Sequence, residues 1–328
     1  MADWNEKMLD EELEAIMNDV PEQEELEKKI NQIINRRIRK VVMKTLCAIV
    51  SVILVAFLVI SPLMNALFWN PSKMVNDEKL LTVWNDYFDM VYPWREVMFA
   101  DVEKKGFARY DINMQVVDKT EPIHFGIQNV TCEVSRGNYQ KIYDPGFMMT
   151  MVMGKFENSS VAENEKLIKS IEELPESAMI YLELSDSEAK RIEALQNADI
   201  NIEWIQVYLH GGEFQGGIRV ENSIGRLEEG KRRSEMSGEE LLEVYLKNLE
   251  NLLEHPEVWS YFQLWNRSTV FMQSKEELQK TYEKAKELTE VTTKNYCISG
   301  QRDEVLEYLN ANKFDDIRIE EVKLSIYE

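Results

Sequence analysis

The sequence predicts an anchored α+β protein: an extracytoplasmic α+β domain with two strand–helix–strand units, one transmembrane helix, and a short helical cytoplasmic segment. Three observations carry this. No charged side chain lies between Lys44 and Lys73. Apolar residues before that run recur at helical spacing. After it, two stretches of like length, 178–209 and 295–327, repeat one pattern of apolar strand, Ser/Asp/Gly turn, short amphipathic helix and alternating strand. The resulting division is 1–44 cytoplasmic, 45–69 transmembrane, 70–158 a juxtamembrane helix with a β-rich region, and 159–328 an α+β domain.

The first element is a short amphipathic helix over 3–20. Leu9, Leu13, Ile16, Met17 and Val20 form one apolar stripe, extended by Trp4 and Met8, and Asp10, Glu11, Glu12 and Glu14 fill the remainder. Pro21 ends this helix or opens the next. A second stripe, Leu26, Ile30, Ile33, Ile34, Ile38 and Val41, runs in period into the following apolar segment. Some forty residues with two stripes cannot build their own core. Three covers are open: a docked partner, which is preferred; self-association of the second stripe as a coiled coil; or the membrane surface, which the acidic first helix opposes.

The run from Thr45 to Trp69 meets the need of about 20 apolar residues for a helix crossing the hydrocarbon core. A signal peptide begins nearer the N-terminus and ends at small residues; this run does neither, so an uncleaved span is expected. Arg36, Arg37, Arg39, Lys40 and Lys44 crowd its N-terminal flank, whereas Lys73 and Lys79 beyond it are offset by Asp77 and Glu78. The positive-inside bias places residues 1–44 in the cytoplasm. Trp69 is expected as an interfacial anchor and Pro62 as a kink.

Of the formal charge of −21, residues 1–69 supply −3, from 11 acids and 8 bases, so the outer part is strongly acidic. Such a surface disfavours direct nucleic-acid or anionic-lipid binding. Between Leu80 and Trp94 the aromatics Trp84, Tyr87 and Phe88 have helical spacing, which predicts a helix leaning on the domain or the membrane face. Strands are expected at Ala108–Val117 and Gly126–Val134, a turn at Arg136–Tyr139, and a Met-rich strand-like run at Met148–Met153. Two longer helices are expected near Gly238–Phe262 and Lys275–Leu288, and a bulge at Glu320-Glu321 in the last strand. Cys132 and Cys297 lie far apart in sequence, and two buried thiols are the preferred reading over a disulfide.

No catalytic motif is convincing, and no cofactor or metal site is expected. Ser187-Glu188-Ala189-Lys190 matches S-x-x-K, but no K-T-G or S-D-N accompanies it. The same residues read as a helix-opening capping box, Ser185–Glu188, as do Ser237–Glu240 and Ser274–Glu277. His124, His210 and His255 stand apart.

The layout resembles the bacterial sigma factor regulators, a membrane-bound anti-sigma family. The N-terminal likeness, over roughly 25–75, is the basic INRRIRKVVMK entering one span. The C-terminal likeness, over roughly 160–328, consists of AMIYLELS with an acidic Ser-initiated helix, then INIEWIQVYL with its motif residue Trp204, then YCISGQRDEVLEYLNANKFDDIRIEEVKL. These motifs are structural rather than catalytic. The resemblance implies that the cytoplasmic segment holds an extracytoplasmic-function sigma factor at the membrane, through Trp4, Met8, Leu9, Leu13, Ile16, Met17 and Val20, under control of the outer domain. The helix at 3–20 is not itself part of the family pattern. The competing reading is a non-catalytic, membrane-anchored binding subunit of a cell-envelope complex, with an unknown envelope ligand or protein as partner.

Overall fold

The computed structural model describes residues 23–75, 78–120, 126–143, 161–196, 200–209, 216–221, 230–259 and 274–324. The helix expected at 3–20 and the Met-rich run therefore lie outside the described residues. The chain divides into two compact units, Met1–Met64 and Asn65–Glu328.

In the first unit, helix α1 (Gln23–Val55) is unbroken and merges the second apolar stripe with the apolar run. It passes into a π-helical turn, Ala56–Ile60, and then α2 (Ser61–Leu67). The π turn has a local cause. Pro62 has no N–H to donate, so the hydrogen-bond register slips before it, and the Ser61 N–H reaches back to Ala56 O. Among the described residues, Ile30–Leu67 is one helical stretch long and apolar enough to cross a membrane, which is consistent with a membrane anchor.

The second unit is mixed α+β with two antiparallel sheets. It opens with α3 (Ser72–Val75) and α4 (Lys79–Val91). A four-stranded meander follows: β1 (Arg95–Gly106), β2 (Arg109–Asp118), β3 (Ile127–Ser135) and β4 (Asn138–Tyr143). Strand β1 is not among the strands expected from the sequence; its outer half is largely exposed and pairs with β2 along the backbone and through the Lys105–Asp111 ion pair at 3.2 Å. Two-residue turns close the first and last hairpins, Phe107-Ala108 and Arg136-Gly137, all four residues having positive φ. This is the type I′ geometry that matches strand twist. Asn138 and Tyr139, expected in a turn, begin β4. Tyr110, Ile112, Met114 and Val116 of β2 face inward with Val130, Cys132 and Val134 of β3.

The second sheet has the order β7-β6-β8-β5-β9. Its strands are β5 (Met179–Arg191), β6 (Asn201–Gln206), β7 (Gly217–Arg219), β8 (Thr292–Gln301) and β9 (Asp316–Lys323). Helix α5 (Val161–Glu172) precedes β5, and α6 (Ile192–Gln196) follows it. Helices α7 (Gly238–Glu254) and α8 (Lys275–Ala285) lie in sequence between β7 and β8, and α9 (Arg302–Ala311) between β8 and β9. Helix α7 is shorter than expected. Its C-cap is His255, which precedes Pro256, and a residue before proline is steered out of the helical region.

The capping expectation holds at two of its three places. The Ser237 side chain accepts from Glu240 N in a full capping box, and Ser274 accepts from Glu277 N. Ser185–Glu188 opens no helix. These residues stay within β5, where 186–189 bulge out between the pairs Ser185↔Asn295 and Lys190↔Thr293, leaving only the five residues of α6 helical. The bulge in the last strand is where it was expected: Tyr181 pairs with Glu321 and Leu182 with Ile319, so Glu320 is the extra residue. Cys132 and Cys297 are buried free thiols in different sheets.

Candidate functional site

Immediately beyond the long apolar helix, the second unit is tied down at three successive points. The Asn65 Oδ1 accepts the Ala108 N–H at 2.8 Å. Ala108 has φ of 53°, a left-handed conformation that costs a non-glycine residue roughly 1–2 kcal/mol; the Asn65 bond and an Arg136 N–H to Ala108 O bond at 2.8 Å hold it there. Next, Trp69 lies 5.8 Å from the Tyr139 ring, and Tyr139 donates to Val258 O at 2.7 Å. Trp69, expected as an interfacial anchor, is half-buried against this domain. Gly137 answers this close approach: a Cβ there would lie 3.3 Å from Trp69 N.

The third point is α4. Its aromatic face is buried rather than left on the surface, with Trp84, Tyr87, Phe88, Met90 and Val91 all inside. Tyr87 stacks on Trp259 at 6.5 Å, and Phe88 lies 4.7 Å from Tyr92. Two acids, Asp86 and Asp89, enter this apolar core with the aromatics. Asp89 is 5% exposed. It accepts from Arg219 N (2.9 Å), Arg233 Nη1 (2.6 Å) and Asn248 Nδ2 (3.0 Å), and its backbone carbonyl accepts from Trp204 Nε1 (2.7 Å). The carboxylate thus gathers β7, the turn at Arg233–Glu235 and α7 onto the helix, and the backbone carbonyl of the same residue adds β6. Burial raises the Asp89 pKa, but the guanidinium groups of Arg233 and Arg219 outweigh it and hold the carboxyl below its usual value. One turn earlier, Asp86 accepts from Asn251 Nδ2 at 2.8 Å. Arg219 reaches on to the carbonyls of Tyr92 and Arg95 and lies 3.5 Å from Glu96. The expected motif residue Trp204 therefore has a definite place: it is fully buried and clamps the second sheet to α4.

A second polar cluster lies where Trp94 meets the second sheet. Alternation gives β5 one apolar face, Ile180, Leu182 and Leu184, and one mixed face, Tyr181, Glu183 and Ser185. On the mixed side, Trp94, Tyr181, Trp204 and Cys297 pack together. Glu183 is buried in this neighbourhood and its pKa is pushed up to about 7, first by burial and then by Glu320, with Arg318 and Trp94 opposing. Glu320 is raised too, by burial and by Asp118. The surrounding bonds are Arg95–Asp118 at 3.0 Å, Ser299 to Glu203 at 2.6 Å, and Lys323 to Lys119 O at 2.9 Å.

The S-x-x-K pair does not assemble. Ser187 is exposed on the β5 bulge, while Lys190 pairs with buried Asp186 at 2.9 Å, beside the hydroxyls of Tyr296 and Tyr308. Burial raises both tyrosine pKa values; the Tyr296 hydroxyl donates to Asp186 and shares a 2.8 Å bond with the Tyr308 hydroxyl. Among the described residues no three His, Cys, Asp or Glu side chains are grouped to hold a metal ion. His124 and His210, like the partner-binding set Trp4, Met8, Leu9, Leu13, Ile16, Met17 and Val20, fall outside the described residues. Arg36, Arg37, Arg39, Lys40 and Lys44 are exposed along α1.

Together these features define, among the described residues, one apolar anchor-type helix and an α+β unit whose helix α4 is locked into its own core. No family model, no curated protein and no solved structure matches this chain.

Proposed function

We propose that the chain is a single-pass membrane regulator of an extracytoplasmic-function sigma factor, with residues 1–44 in the cytoplasm and the α+β unit outside the cell. The observation that carries this reading is the anchoring of residues 65–91. A segment that only tethered a domain would be a solvated linker; this one is fixed to the outer unit by Asn65, Trp69 and Asp89 in turn. The basic flank of the apolar helix supports the orientation. The acidic, apolar-striped segment before it suits a partner with partly basic, partly apolar surface, by charge and by anchoring.

The reading extends to the second sheet. We read β5 and β6 with α6, and β8 and β9 with α9, as two strand–helix–strand units that share one sheet. The order β6-β8-β5-β9 is that of a split βαβ arrangement, in which neither unit's sheet is complete without the other. The test is capture of residues 1–44 with the sigma factor encoded beside this gene. Retention supports the proposal; no retention, with sigma activity unchanged when the gene is deleted, refutes it. The second reading, a non-catalytic anchored subunit of an envelope complex, rests on the size of the outer unit and predicts that residues 1–35 are dispensable.

A further inference from the structure

We infer that the two hairpin tips of the first sheet, Phe107-Ala108 and Arg136-Gly137, rest on the outer face of the bilayer and bind anionic phospholipid headgroups through Lys104, Arg109 and Arg136. The inference rests on the single-span reading above, which fixes where the bilayer ends. Counted along a helix from Thr45 at about 1.5 Å per residue, Asn65 lies about 30 Å on, the thickness of a hydrocarbon core. The Asn65 side chain is therefore at headgroup level. Its Oδ1 accepts the Ala108 N–H at 2.8 Å, so the first tip is at that level too. A separate contact places the second tip: a Cβ on Gly137 would lie 3.3 Å from Trp69 N and 3.9 Å from Phe68 Cβ. The Arg136 N–H donates to Ala108 O at 2.8 Å and ties the two tips together.

The charge at these tips is opposite to that of the unit around them. Residues 104–110 hold Lys104, Lys105 and Arg109, residues 134–140 hold Arg136, and neither stretch holds an acid. The acidic average of the outer part, which disfavours anionic lipid, hides this end. The nearest acids on the same strands are occupied. Lys105 turns back to Glu103 at 2.8 Å and to Asp111 at 3.2 Å, and Glu133 accepts from the Tyr143 hydroxyl at 2.8 Å. Lys104, Arg109 and Arg136 are exposed and form no ion pair among the described residues. Arg109 adjoins Ala108, and Lys104 lies opposite Tyr110, two residues from it. At about 3.3 Å per residue all three start within about 10 Å of headgroup level, and long basic side chains extend toward an interface.

The tips are also set in place before lipid arrives. Type I′ turns favour Asn-Gly, yet the first tip holds Phe107 and Ala108 at φ of 54° and 53°. The bonds from Ala108 to Asn65 and Arg136 keep that backbone fixed, so binding orders little chain. Phe107 and Trp69, both half-buried, put aromatic rings at the level where a bilayer interface favours them. A soluble anion could neutralise the same cations, but the covalent span keeps these tips against headgroups at high effective concentration.

The test uses the full chain in phosphatidylcholine vesicles with a trace of spin-labelled phosphatidylglycerol or spin-labelled phosphatidylcholine. The immobilised fractions give the preference for the anionic lipid. The chain is compared with the triple variant Lys104→Gln, Arg109→Gln, Arg136→Gln; the basic flank at 36–44 is common to both, so its contribution cancels. The triple variant should show the preference lowered roughly threefold or more, and about 0.5 M salt should shrink the difference. The charge-keeping variant Lys104→Arg, Arg109→Lys, Arg136→Lys should match the parent. Equal preference in the parent and the glutamine variant overturns the inference. Placement is read separately, by a bimane on Asn138→Cys in a Cys47→Ala background. Quenching by lipid spin-labelled at the headgroup supports the inference, and no quenching refutes it. Carbonate extraction scores the span itself: release of the parent chain would refute the single-span reading and this inference with it. With the chain retained in the membrane, loss of the headgroup preference leaves the regulatory reading standing.

Discussion

Replacing Asp89 with alanine removes the carboxylate that binds α4 to β7, to the turn at Arg233–Glu235 and to α7, and leaves the backbone bond from Trp204. The side chain accepts three hydrogen bonds, of which the one from Arg233 is an ion pair at 2.6 Å. The Arg233 side chain is 9% exposed, so the substitution leaves a guanidinium inside the protein without its anion. Breaking a buried pair in this way costs about 3–5 kcal/mol. For a unit of this size that lowers Tm by on the order of 10 °C. Asp89→Asn keeps the shape but not the charge and should lose a smaller part, because its one carbonyl oxygen retains an acceptor for the Arg219 N–H or for Asn248, though not for both. The assay is thermal unfolding of the full chain in detergent, followed by tryptophan fluorescence, with Arg233→Met and the double variant completing a cycle. The double variant should recover part of the loss, since neither charge is then stranded. Because the neighbouring guanidinium groups hold the Asp89 pKa below the ordinary aspartate value, its contribution is present above that ordinary value and is lost as pH falls through the folded pKa. A destabilisation under about 1 kcal/mol for Asp89→Ala, or purely additive singles, would refute the view that this carboxylate locks the helix.

The remaining predictions concern the second sheet and the thiols. Glu183 has its pKa raised from 4.5 to about 7, so the fold holds its proton more tightly than the unfolded chain does. Stability should therefore fall by about 3 kcal/mol as pH rises from below 4.5 to above 7; Glu183→Gln should flatten that part of the Tm–pH curve, and an unchanged slope would count against it. Gly217→Ala should disrupt the sheet edge, because a Cβ would overlap the Trp204 ring and the Ile205 carbonyl; a red-shifted tryptophan emission with a loss of at least about 2 kcal/mol is expected. Cys132 and Cys297 should resist alkylation in the native protein and react after denaturation, with no mobility change on reduction.

What the sequence made legible follows from how local each signal is. The strands at 109–118 and 127–135 were readable because apolar and polar residues alternate there at a period of two. The bulge at Glu320 was readable because that alternation slips by one residue. Strand β1 was not, since Glu103, Lys104 and Lys105 lie on its half-exposed stretch, where pairing to β2 and not burial holds the chain. The helix expected from Ser185 failed for a related reason. Asp186 and Lys190 have capping and helical spacing, but burial of Asp186 against the Tyr296 hydroxyl keeps that segment in the sheet. The polar lock was the least legible part. Asp89 stands in WNDYFDMV among aromatics, and an acid three residues after Asp86 on an apolar face was the available signal. Its partners Arg219, Arg233 and Asn248 are more than 120 residues away, and nothing local links them. Trp204 was singled out by resemblance, and the structure supplies its physical role as the indole donor to Asp89.

The central claim is that this chain passes a state of its outer unit to a partner held by the N-terminal segment. The most direct measurement is transcription from promoters of the adjacent sigma factor in cells expressing the full chain or a form lacking residues 1–35. The account predicts derepression of at least tenfold in the truncated form, with the outer unit still folded and membrane-bound. Unchanged transcription, with cell-envelope function also intact, would contradict it.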